Sequence, residues 1–84
     1  MVKEEIWSVP IERARGFFRE QPGAVEHTPD VYQCGSCQIR LTRLEPAGVG
    51  IWSSTRIRLY LAGEDAEAAA LYRRFLIQFL TAGG

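Results

Sequence analysis

The sequence predicts an α+β two-layer sandwich, an antiparallel sheet with two helices on one face, in the order β-α-β-β-β-α. Strand-like alternation runs from Val25 to Leu61, and helical patterns stand before it, from about Pro10 to Gln21, and after it, to about Leu80. An opening strand, helix and strand favours a ferredoxin-like topology, an incomplete one because no strand follows the last helix.

Each element has its own signal. Val2 to Ser8 reads as a short strand, with Val2 and Ile6 on one face and Lys3, Glu5 and Trp7 on the other. Pro10 suits the first turn of a helix, where its missing N–H is not needed. In that helix Ile11, Ala14, Phe17 and Phe18 share a narrow apolar side, and Pro22-Gly23 ends it. Gly35-Ser36 is a two-residue turn signal. Pairing across it sets Cys34 opposite Cys37, Gln33 opposite Gln38 and Tyr32 opposite Ile39. Tyr32, Cys34, Cys37, Ile39 and Leu41 then share one face, while Val31, Gln33, Gln38, Arg40 and Thr42 share the other. Glu45 to Gly50, with one proline and two glycines, reads as a loop. Beyond it Ile57, Leu59 and Leu61 alternate with Arg56, Arg58 and Tyr60. After Gly63, the acidic Glu64, Asp65 and Glu67 suit the positive end of a second helix. Its main apolar face holds Ala68, Ala69, Tyr72, Phe75, Leu76, Phe79 and Leu80, with Leu71 and Ile77 on the two flanks. That arc is wider than one sheet needs to cover.

Length and charge narrow the function. Eighty-four residues make one small domain, 1–84, whose stability gains from a partner. Ten basic residues balance ten acidic ones, so no overall field draws the chain to nucleic acid or to a membrane surface. No apolar run approaches the ~20 residues of a membrane span. Charges at Lys3, Glu4, Glu5, Glu12, Arg13 and Arg15 break any signal-peptide core. A cytoplasmic location follows as the expectation, with both cysteines reduced.

Four constellations could carry chemistry. The first is Cys34-Gly35-Ser36-Cys37. A thioredoxin-type pair needs its first cysteine at a helix N-terminus, whereas here a strand follows. As half of a zinc site the pair would need His27 and a fourth ligand from Asp30, Glu26 or a partner chain. The plain reading is two small apolar side chains on the core face. The second is His27, the single histidine, which reads as a solvated residue in a turn. The third is the open sheet face with Arg40, Arg56, Arg58 and Tyr60, to which Trp7 and Trp52 could add. Arginine beside aromatics serves protein interfaces and single-stranded nucleic acid alike, and the balanced charge argues against nucleic acid.

The fourth is the closing Thr81-Ala82-Gly83-Gly84. Its Gly-Gly resembles the handle of ubiquitin-like modifiers and sulfur carriers, where Gly84 would be activated. Those proteins are β-grasp folds ending in an extended tail, so Gly83 reads more simply as a helix cap. The order helix, three strands, helix is also that of double-stranded-RNA-binding domains. Those carry basic residues where this chain has Glu64-Asp65-Ala66-Glu67.

No phosphate-binding glycine loop, HExxH or GxSxG pattern is present. The sequence therefore reads as a non-catalytic binding domain without a cofactor, self-associating or bound to a protein partner. Leu71 and Ile77 mark its first surface, and Arg40, Arg56, Arg58 and Tyr60 its second. The competing reading is a carrier or redox protein using Gly84 or the Cys34/Cys37 pair.

Overall fold

The computed structural model describes residues 1–48 and 54–81. Trp52, Ser53 and the terminal Gly83-Gly84 lie outside the described residues. The elements are strand β1 (Val2–Trp7), helix α1 (Ile11–Arg19), strands β2 (Ala24–Thr28), β3 (Val31–Cys34), β4 (Cys37–Ala47) and β5 (Ser54–Ala62), and helix α2 (Asp65–Leu76). A π-helical turn, Ile77–Thr81, continues α2. All five strands form one antiparallel sheet in the order β1-β5-β4-β3-β2.

The α+β class is as the sequence predicts, but the topology differs. The sequence predicts three strands between Val25 and Leu61; the structure has four, because Ala24–Thr28 forms a strand of its own, joined to β3 at Pro29-Asp30, making five in all. Two-residue turns hold β2 beside β3 and β3 beside β4. The four later strands therefore form an unbroken meander. A ferredoxin-like sheet inserts its first strand among the later ones, and these turns with the direct pairing of β4 and β5 leave no gap for it. β1 adds instead outside β5, and α1 carries the chain across to β2 at the opposite edge.

Both helices pack on one side of the sheet. From α1, Ile11, Ala14 and Phe18 are buried; from α2, Ala68, Leu71 and Phe75. They meet Tyr32, Cys37, Ile39, Leu41, Ile57, Leu59 and Leu61 from the sheet in a single core. Phe75 is its centre, with ring centroids of Trp7 at 5.0 Å, Phe18 at 5.6 Å and Phe79 at 4.6 Å. Edge-to-face and offset rings at such distances add to the area they bury.

Local chemistry sets the ends of the elements. The Pro10 carbonyl accepts from Arg13 N and Ala14 N, opening α1. Gly23, at φ +75°, closes the turn after it, with Ala24 N donating to Gln21 O at 3.0 Å. The Glu64 carboxylate accepts from Glu67 N at 2.9 Å and caps α2. Those backbone donors hold the Glu64 carboxyl below its ordinary range.

Three local expectations are corrected. Glu45 to Ala47 belong to β4, where a bulge between Leu44 and Ala47 accommodates Pro46; the loop begins later. His27 is not in the turn but in β2, as the extra residue of a bulge between Glu26 and Thr28. Leu71 is not on a flank: it is 2% exposed and part of the core. Helix α2 is rolled toward the Cys37 hairpin, so Leu71 turns inward, Ala69 outward, and Leu80 stays 60% exposed.

Candidate functional site

The uncovered face of the sheet is built by strict alternation. Opposite partners across the strands give it rows. Val2, Ala62, Gln38, Gln33 and Val25 form one row. Glu4, Tyr60, Arg40 and Val31 form the next. Ile6, Arg58 and Thr42 follow, then Arg56 and Leu44. In β5 every residue between these is core, because Ile57, Leu59 and Leu61 are each 1% exposed.

Arg40, Arg56, Arg58 and Tyr60 thus come together on one face, but not as four equivalent groups. The Arg40 guanidinium lies 6.0 Å from the Tyr60 ring centroid, a cation–π contact across β4 and β5. Arg58 Nε is 3.6 Å from Glu4 Oε1, which offsets part of its charge. Arg56 folds back and donates to the Glu45 carbonyl from Nε at 3.3 Å and from a terminal nitrogen at 3.1 Å. Arg40 and Tyr60 are therefore the centre of the face, and Arg56 its structured margin.

The sequence allows Trp7 on this face, and the structure places it on the other. Its ring packs edge-on against Phe75, and its Nε1 donates to Glu5 Oε1 at 3.2 Å. The residues that sequence reasoning misses are Val2, Ile6 and Val25, each more than half exposed on the open face. β1 itself gives no signal for this, since Glu4 lies on one of its faces and Lys3 and Glu5 on the other.

The cysteines form a second cluster. Cys34 and Cys37 are directly opposed across the Gly35-Ser36 turn, in the register the sequence predicts. Both are free thiols. Cys37 is 1% exposed, and burial pushes its thiol up, away from the reactive thiolate. Cys34 is half-buried, with Sγ 3.5 Å from the Pro22 carbonyl. The turn docks on α2: Ser36 N donates to Glu67 Oε2 at 3.0 Å, and Glu64 N donates to Ser36 Oγ at 3.0 Å. A hollow of about 240 Å³ opens beside it, lined by Pro22, Cys34, Cys37, Glu67 and Arg74.

His27 does not join this cluster. Ala24 pairs with Cys34, and His27 lies three residues further along β2, about 10 Å away at strand rise. Among the described residues no group of three His, Cys, Asp or Glu side chains could hold a metal ion. Ile77 is 56% exposed in the π-helical turn. No helix among the described residues is long and apolar enough to cross a membrane. Comparison of the sequence with protein-family models and with curated proteins finds no match.

Proposed function

We propose that this chain is a non-catalytic protein-interaction domain that binds through the open face of its sheet. The observation that carries this reading is the arrangement of that face. Arg40 and Tyr60 sit in contact at its centre, with the exposed Val2, Ile6 and Val25 around them. Arginine and tyrosine amid apolar surface are the residues that anchor protein interfaces. A partner surface with apolar groups and carboxylates matches it, and a second copy of the chain is one such partner. Nucleic acid matches less well. Arg58 is paired with Glu4, Arg56 is turned onto the backbone, and acidic residues equal basic ones in number. A reducing cytoplasm suits the two free thiols.

Affinity capture from the lysate of the source organism tests the reading. The double variant Arg40→Glu/Arg58→Glu should lose proteins that the wild type retains. An Ala69→Glu control on the exposed back of α2 should retain them. Equal capture by all three would contradict the proposal.

One observation favours a redox reading instead, the opposition of Cys34 and Cys37 across a tight turn. Burial of Cys37 and its raised thiol weigh against it. A Cys34–Cys37 disulfide in protein isolated from its own host would favour it.

A further inference from the structure

We propose that two copies of this chain pair through the outer edge of β1, antiparallel and centred on Glu4, to give a continuous ten-stranded sheet. The pairing uses the edge of β1 and goes beyond the sheet-face reading, adding a second surface whose partner is a second copy.

The two edges of the sheet differ. β2 carries the His27 bulge, which interrupts a regular ladder. β1 is six residues long, pairs with β5 without a register shift, and has no strand on its other side among the described residues. Met1 and Gly63 exchange both backbone hydrogen bonds, at 2.9 and 3.0 Å. Alternation along an antiparallel ladder then directs the backbone groups of Lys3, Glu5 and Trp7 inward to β5. The N–H and C=O groups of Val2, Glu4 and Ile6 point outward.

These outward groups select a register. A two-fold axis at Glu4 sets Val2 against Ile6 of the second copy, Glu4 against its own equivalent, and Ile6 against Val2. All three outward pairs can exchange backbone hydrogen bonds. On the helix side, the same register sets Lys3 against Glu5 of the second copy, twice. On the open side it joins exposed Val2 to exposed Ile6, twice. The two Glu4 carboxylates meet at the axis, where an Arg58 lies 3.6 Å from each. Shifting the axis to Glu5 would oppose the two Glu5 side chains, and shifting it to Lys3 the two lysines. Charges on an edge strand ordinarily repel other strands. In this register the Lys3 and Glu5 charges of β1 match those of a second copy.

Three side chains would be covered. Lys3, Glu5 and Trp7 are half-buried at the edge of α2. Tyr72 stands over them, with Lys3 Nζ 4.6 Å from its ring centroid. Leu76 and Leu80 continue that flank of α2 at helical spacing.

Sedimentation equilibrium tests the pairing. Wild-type protein at about 100 µM should have twice the monomer mass, as a modest interface of this kind allows. Lys3→Glu and Glu5→Lys should each be monomeric, the first with Glu against Glu, the second with Lys against Lys. Mixed one to one they should form a heterodimer, since both cross-strand pairs become complementary. Glu4→Pro, which removes an outward N–H and leaves the β5 ladder intact, should be monomeric and folded. Because Glu5 also contacts Tyr72, Lys3→Glu and Glu4→Pro decide the matter if Glu5→Lys does not fold. A monomeric wild type would overturn the proposal. A dimer that persists in both Lys3→Glu and Glu4→Pro would overturn this pairing and leave the interaction-domain reading intact.

Discussion

The Tyr72 hydroxyl donates to Glu5 Oε1 at 2.5 Å, joining α2 to the edge strand across 67 residues of chain. Charge-assisted bonds of this length are among the stronger ones. Burial and the Glu5 carboxylate together push the Tyr72 phenol up to about 12 from an ordinary value of 10.0. The neutral phenol is thus the form the fold prefers. Its stabilisation is complete below pH 10 and is lost as pH rises toward 12. Tyr72→Phe should cost about 1–2 kcal/mol in urea denaturation at pH 7. It should also remove the highest-pH step from an ultraviolet titration of the folded protein.

Two glycines should respond oppositely to alanine. A Cβ on Gly63 would stand 2.8 Å from Cys37 Sγ and 2.9 Å from Cys37 Cα, so the chain crosses here with no room for a side chain. Gly63→Ala should destabilise by roughly 1–3 kcal/mol. Gly16, inside α1, has open space where a methyl would stand, with nothing within 4 Å of it. Gly16→Ala should stabilise by about 0.5–1 kcal/mol through helix propensity and chain entropy. Thermal melts of the two variants against wild type measure both.

Acid should weaken the fold through two carboxylates. Arg19 holds the Glu26 carboxyl below its ordinary value of 4.5, through a 2.9 Å bond from Nε. The Glu67 and Ala66 backbone amides do the same for Glu64. Lowered folded values mean that this stability is present above pH 4.5 and is lost as pH falls through the folded values. Glu26→Gln/Glu64→Gln should flatten the stability profile below pH 4.5 while also lowering stability at pH 7. An unchanged acid limb would assign the loss to other groups.

The cysteines should contribute packing only. Cys34→Ala/Cys37→Ala should cost no more than about 1–3 kcal/mol, nearly all of it at the buried Cys37. Addition of a chelator should leave the wild-type melting temperature unchanged. Unfolding by the chelator would show a structural metal.

Much of the sheet is legible in the sequence because its signals are local. The Gly35-Ser36 turn sets the pairing of Cys34 with Cys37, and alternation then places Ile39, Leu41, Ile57, Leu59 and Leu61 in the core. The strand order is not legible, because Pro29-Asp30 closes a hairpin between two strands of only five and four residues. Polar Glu26, His27 and Thr28 hide β2. The faces of β1 and α2 escape for a related reason. Trp7 and Leu71 turn inward according to how α2 lies across the sheet, which no local pattern in either element specifies. Of the open face, the alternation of Arg56, Arg58 and Tyr60 is legible, but not the neighbours that β1 brings to it.

The most direct test of the central claim is photocrosslinking in living cells, with benzoylphenylalanine in place of Tyr60 or of Ala69. Position 60 lies on the open sheet face beside Arg40, and position 69 on the exposed back of α2. Binding through the sheet face predicts a discrete protein adduct on irradiation at position 60 and none at position 69. An adduct at 69 with none at 60 would contradict it.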